Sequence, residues 1–298
     1  MPEASLVNLG ELAKPATTLI EKISDAVGTL FEPVQIKRIA KAEAAATIIR
    51  TENEIQVQQR QQRAITRFVK EEEKKQINME NITQKALPNL EDDSKPEDVD
   101  DDWIANFFDK CRIISNDEMQ GLWSRVLSGE ANRPGAFSKR TVNLLSSIDK
   151  EDATIFSNLC NFGLTLNGLT PLIYDENNSI YNQHGVDFSS LSHLESIGLI
   201  KFNQLSGFDL SGLPKNIVLQ YCKQNIELEF PNDTNNKLHL GKVMLTKIGY
   251  ELAQINIISP DYKFLNYIYE YWKAKGLIKK EFTWESTVSD TNHGTEPI

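Results

Sequence analysis

Hydrophobic positions recur along this chain with two different periods, and the change from one to the other divides it. From Ser5 to Phe31, Ala16, Leu19, Ile20, Ile23, Val27 and Leu30 fall on one helical face, with Pro15 as an early break and Pro33 as a stop. From Val34 to about Leu87 there is neither Pro nor Gly, and Ala, Gln, Glu, Lys and Arg dominate, which predicts a long helix. Its apolar positions, among them Ile36, Ile48, Ile65, Phe68 and Ile77, are sparse and keep no strict heptad. Such a thin stripe favours an extended arm or loose bundle over a self-sufficient domain.

Residues 88–102, "PNLEDDSKPEDVDDD", are acidic and nearly without apolar side chains, the composition of a flexible linker. A compact helical block follows. "WIANFFDKCRII" sets Trp103, Phe107, Cys111 and Ile114 on one face. In "ISNDEM", Ser115 and Glu118 fit a capping box and Ile114 and Met119 the flanking hydrophobic staple, so a helix begins near Asn116. It is expected to run to about Leu127, with Gly129 at its C-terminus and "RPGAFS" as the turn. Ser138 then caps a second helix, with Phe137 and Val142 as staple, and Asp149 caps a third.

Beyond residue 150 the period shortens. "DFSSLSHLESIGLIKFN" reads as a helix ended at Gly198 and followed by a strand; "NIVLQYC" is extended and "IELEF" alternates strictly. "KLHLGKVMLTKIGYELAQI" gives a strand and then a helix opened by Thr246. In "SPDYKFLNYIYEYWKAKG", Ser259 is the expected cap, Pro260 the first helical residue and Gly276 the stop. The order of helix ending in "GLI", strands and "LTKIGYEL" looks like a winged-helix domain. The expected architecture is mainly α with an α+β C-terminal part. It comprises an amphipathic helix and long helical arm over 1–87, the acidic linker 88–102, a helical block 103–149, a winged-helix-like domain with C-terminal helix over 150–285, and a disordered tail 286–298.

Charge alters this picture locally. The formal net charge is -10 over 298 residues, which argues against a protein that coats nucleic acid as a whole. Val34 to Lys75 nevertheless holds ten basic and six acidic residues, net +4, and Glu91 to Asp102 eight acidic and one basic, net -7. The basic run makes Arg60, Arg63, Arg67 and Lys70 the candidate nucleic-acid contacts, against the plainer reading of a solvated face with pairs such as Arg67 to Glu71. The winged-helix-like region is expected to act as scaffold or protein contact, because its "SLSHLESIGLI" helix has no Lys or Arg. The polar face of the first helix is not cationic, which weakens a lipid-surface role without removing peripheral membrane contact as an alternative. With no long apolar run and no basic-then-apolar leader, the cytoplasm is the expected compartment.

Candidate chemistry is sparse. His184, His193, His239 and His293 stand apart, neither a Gly-rich phosphate loop nor a G-x-S-x-G elbow occurs, and Cys111, Cys160 and Cys222 sit among apolar neighbours that favour inert buried thiols. The reading is a protein that is not an enzyme and needs no cofactor or metal.

"QGLWSRVLSGEANRPGAFSKRTVNLLSSIDKEDATIFSNL", with "LIEKISDAVGTLFEPVQIKRIAKAEA" before it and "LTKIGYELAQI" after it, resembles a bacterial family of proteins of unknown function and, more distantly, the abortive-infection alpha (Abi-alpha) family. The resemblance covers most of the chain and implies a phage-defence setting with no catalytic residue to carry over. The expected function is a non-enzymatic interaction protein that self-associates or binds a partner through its N-terminal helices. The alternatives are a nucleic-acid-binding regulator and a membrane-acting effector. Arg125, Glu130, Arg133, Lys139 and Arg140 crowd one turn where no helix rule requires them, and are the candidate partner contacts.

Overall fold

The computed structural model describes residues 13–28, 55–166, 168–222 and 224–278. Residues 5–12 and 29–31 of the first predicted helix, 34–54 of the arm, and the expected tail at 286–298 lie outside the described residues.

Helix α1 (Lys14–Val27) carries Pro15 in its first turn, where a missing N–H leaves nothing unpaired, so the expected break opens the helix instead. Its buried residues Ala16, Leu19, Ile20 and Ile23 pack on helix α3 (Asp101–Cys111) and on the 3-10 turn Pro96–Asp98. Lys22 Nζ lies 2.7 Å from Asp101 Oδ1 beside this contact. Helix α2 (Ile55–Ala86) runs 32 residues, about 48 Å at 1.5 Å per residue. Its C-terminal half buries Asn78, Ile82, Thr83 and Ala86, packing on helix α4 (Asp117–Asn132), whereas Gln59 to Lys74 stay exposed or half-buried.

Of residues 88–102, expected to form a flexible linker, 88–100 are a strap packed on the end of α4 and Asp101 and Asp102 open α3. Pro96 and Val99 are buried, Lys95 N donates to Ala131 O at 2.9 Å, and the Asn132 side chain pairs with Glu91 N and Asn89 O at 3.0 Å each. Two apolar anchors and one amide suffice to hold a segment whose composition reads as unstructured. Asp100 ends the strap as the cap of α3, accepting from Trp103 N at 2.8 Å; that bond, helped by Lys139, holds its carboxyl below the ordinary range against the effect of burial.

Two boundaries move within the helical block. The cap of α4 is Asn116, which accepts from Met119 N at 3.0 Å, rather than Ser115 one residue earlier. The helix continues to Asn132, so Gly129 is interior to it, and a Cβ there would stand 2.7 Å from the buried Phe137 ring. Close packing, not a positive φ, is what that glycine serves; the left-handed residue of the corner is Gly135, at φ 87°. Ser138 caps helix α5 (Lys139–Leu145) and Asp149 caps helix α6 (Lys150–Cys160), both as the sequence predicts, and Asp152 completes a capping box with Asp149.

The remaining chain is α+β. Strands β1 (Gly163–Thr165), β2 (Leu169–Pro171), β5 (Asn216–Tyr221) and β6 (Gln224–Glu229) form a sheet in the order β2-β1-β5-β6. In β5 and β6, Ile217, Leu219, Tyr221, Ile226 and Leu228 point inward and alternate with outward residues. Strand β3 (Ile200–Phe202) pairs antiparallel with β8 (Val243–Leu245), and β4 (Phe208–Leu213) with β7 (Asn236–Gly241). Helices α7 (Ser179–Asn182) and α8 (Phe188–Ser196) precede β3, and α9 (Lys247–Ala253) follows β8 with Thr246 as its cap. Gly198 takes φ 85° between α8 and β3. Helix α10 (Tyr262–Ala274) is capped by Asp261, which accepts from Lys263 N and Phe264 N, and so starts two residues after the expected Ser259–Pro260. Of its aromatic stripe, Phe264 and Trp272 are fully buried and Tyr262 is exposed.

One continuous cluster of buried side chains runs from Leu19 through Trp123, Phe137, Phe162 and Leu194 to Trp272. The helical block and the α+β part therefore share a core.

Candidate functional site

The corner between α4 and α5 is where the sequence concentrates polar residues, and the structure sorts them into two kinds. Glu130 is 3% exposed; Oε1 accepts from Gly135 N at 2.7 Å and Oε2 from Phe137 N at 2.8 Å. A reversal of this kind strands backbone N–H groups that a following helix cannot take up, and the carboxylate on the preceding helix satisfies them. Burial pushes the Glu130 carboxyl above the ordinary range despite these two amides. It turns inward and serves the turn rather than an outer surface.

Two more side chains close the corner from far away in sequence. Trp103 Nε1 on α3 donates to Phe137 O at 2.7 Å. Glu251 on α9, 4% exposed, accepts from Ser138 N at 2.8 Å and from the Thr141 hydroxyl. The segments "LSGEANRPGAFSKRT" and "LTKIGYEL" are thus two halves of one arrangement. Gly249 belongs to it, since a Cβ there would lie 2.0 Å from Leu199 O.

The other corner residues differ. Arg133, Lys139 and Arg140 are exposed, Lys139 standing 3.3 Å from Asp100 and 3.6 Å from Asp102. Arg125 is half-buried, and its Nε is sealed from solvent with no hydrogen-bond partner. It lines a cleft of about 280 Å³ between α4, α5, α6 and the end of α9. A second cleft, about 350 Å³, lies among the strands; Leu164, Leu169, Leu219 and Leu238 line it, and its one cation, Lys247, is 3.9 Å from Glu251.

On α2, Arg60, Arg63, Arg67 and Lys70 are all exposed, and with Lys74 they recur at intervals of three and four residues, which places them along one face. Arg67 Nε is 3.5 Å from Glu71 Oε1, the i,i+4 pair the sequence suggests. Beyond the opposite end of the same helix, Glu91, Asp92, Asp93, Glu97 and Asp98 are exposed along the strap. The sequence marks both blocks by charge and predicts the helix that carries the first; what it does not reveal is that the acidic segment is packed against the end of α4.

Conventional chemical groups are dispersed. His184, His193 and His239 each meet one carboxylate, Asp261 at 3.3 Å, Asp152 at 2.5 Å and Asp209 at 2.8 Å, while His293 lies outside the described residues. Burial raises all three thiols, Cys160 to about 12, although Cys222 at the β5–β6 turn is only half-buried, less than the sequence suggests. Among the described residues no helix is long and apolar enough to cross a membrane.

No curated protein matches the chain, and no solved structure does. A family does: residues 62–269, 208 of the 298, match the protein of unknown function (DUF2806). That span takes in the basic face of α2 from Arg63 on, the strap, the stapled corner and nearly all of the α+β part, and the chain belongs to the DUF2806 family.

Proposed function

We propose that this protein is a non-enzymatic interaction protein that self-associates through α2, the basic face of one copy meeting the acidic strap of another. The observation that supports this reading is the separation of exposed basic and acidic charge, one on α2 and the other on the strap past its end. Arg60 to Lys74 spans 15 residues, about 21 Å of helix from first to last. The exposed carboxylates of residues 91–98 lie past the far end of the same helix. Two copies related by a two-fold axis with their α2 helices antiparallel bring each basic face onto the other's strap, the self-complementary arrangement a closed dimer needs. Complementary charge of this kind sets register and speeds encounter.

Helix α1 is not the contact in this reading, because its apolar face is occupied by α3. The same occupancy tells against a membrane-acting effector that uses the face of Lys14–Val27. The winged-helix-like reading of residues 150–258 fits a scaffold: α8 has no Lys or Arg, and its His193 is engaged by Asp152. Resemblance to the abortive-infection alpha family supports a bacterial, cytoplasmic, phage-defence setting, tested by plating phage on cells with and without the intact gene.

Charge reversal tests the dimer. Arg60→Glu, Arg63→Glu, Arg67→Glu and Lys70→Glu in one protein, and Asp92→Lys, Asp93→Lys, Glu97→Lys and Asp98→Lys in another, are each expected to be monomeric by light scattering, and their mixture dimeric. Wild type is expected to dissociate between about 0.1 and 1 M salt as the screening length falls from ~10 to ~3 Å. A monomer at low salt overturns the reading. Salt-dependent binding of duplex DNA by that monomer points instead to the nucleic-acid alternative on the same four residues.

A further inference from the structure

Arg125 is the corner residue whose side chain is drawn partly inside without a partner. A guanidinium offers five donors and is costly to dehydrate unless an acceptor or counter-charge meets it. Here Nε is buried and unpartnered. The acidic residue among the described lining of the same cleft, Glu118, is committed to Lys150 at 2.8 Å. The fold thus neutralises the second cation of the cleft and leaves the first without a counter-charge. Removing Arg125 from water also lowers its pKa, the direction expected of a cation stripped of solvent without a paired anion.

The surroundings describe what would complete it. The cleft lies where the helical block meets the α+β part, a common position for ligand sites. Leu122, Ile148, Phe156 and Leu252 give it an apolar body. Ser157 Oγ donates to Asn256 Oδ1 at 2.7 Å, and Asn256 Nδ2 donates to Ser157 O at 3.4 Å, which leaves one amide hydrogen of Asn256 for a ligand. Its 280 Å³ hold on the order of ten non-hydrogen atoms at the ~30 Å³ a liquid water occupies.

We propose that this cleft is a binding site for a small organic monocarboxylate, held by Arg125 through its planar fork and by the apolar wall through the ligand's short hydrocarbon body. One uncompensated positive charge matches one negative charge. A phosphate dianion would leave net negative charge in an apolar cleft, which burial opposes. Bidentate pairing of Arg with carboxylate supplies orientation as well as affinity. This site is independent of the α2 contact, and its success or failure leaves that reading where it stands.

The test is titration calorimetry and thermal unfolding of the full chain with hexanoate and 3-phenylpropanoate, with hexanamide as the neutral isostere and inorganic phosphate as the dianion. The carboxylates are expected to bind saturably and raise Tm, and hexanamide and phosphate to bind at least tenfold more weakly. Arg125→Met is expected to lose this binding while melting, without ligand, no lower than wild type, because it removes a half-buried cation whose Nε has no partner. Leu122→Trp, which fills the apolar wall and keeps the arginine, is expected to lose binding too. Absence of saturable carboxylate binding to wild type, equal binding of hexanamide, or full binding by Arg125→Met overturns the proposal; tighter binding of phosphate replaces the carboxylate with a phosphate ligand and overturns it as stated.

Discussion

Glu251 Oε2 accepts the backbone N–H of Ser138 at 2.8 Å across 113 residues of chain, with the Thr141 hydroxyl on the same carboxylate. A side chain from the α+β part thereby completes the start of a helix in the helical block. Capping and tertiary docking become one event, which is why the two parts share a core.

Breaking that link strands a buried amide. Glu251→Ala is expected to lower unfolding free energy by about 2–3 kcal/mol, the range for losing hydrogen bonds to a charged group. Urea titration measures it, and Thr141→Val, which loses only the hydroxyl bond, should cost less.

Two glycines in helices predict opposite signs. Gly121→Ala on α4 meets nothing nearer than Arg125 Nη1 at 3.9 Å, so the change should stabilise by up to about 1 kcal/mol through helix propensity. Gly249→Ala on α9 drives a Cβ to 2.0 Å from Leu199 O. Backbone must move there, and the net effect is expected to be a loss of about 1–3 kcal/mol. Equal Tm shifts of one sign for both variants would contradict the packing argument.

The Glu130 carboxyl, raised by burial, gives a pH dependence of defined sign. The folded state holds the proton more tightly than the unfolded chain, so this group's contribution is fully present below about pH 4.3, the unfolded value, and is lost as pH rises through the higher folded value. Glu130→Gln cannot titrate and leaves one of the two amides facing an NH2 group. It is expected to be less stable than wild type by about 1–3 kcal/mol. The deficit should be largest near pH 4 and smaller at pH 7. A deficit that instead grows with pH reverses the assignment.

Thiol accessibility separates the three cysteines. Cys111 and Cys160 are buried with raised pKa values and are expected to be silent to a disulfide reagent in the native state. Cys222, half-buried, should react slowly and alone, and all three should react in denaturant.

The sequence by itself determined the local structure wherever neighbouring residues hold the information. Ser138, Asp149 and Thr246 cap the helices expected of them, because a cap needs only a short side chain and an N–H three residues on. The alternation in β6 and the positive φ of Gly198 were equally legible. Competing caps were less so: Asn116 stands one residue after Ser115 and Asp261 two after Ser259, each pair offering two acceptor oxygens within a turn. Tertiary structure alone decided the rest. It turned Gly129 from a terminator into a packing contact by setting Phe137 against it, and turned an acidic linker into a strap by burying Pro96 and Val99. It divided five corner charges into a buried staple, three exposed cations and one arginine without a counter-charge. Periodicity reports which face of an element is apolar, whereas the partner of a polar group, often a hundred residues away, is fixed only when the core closes.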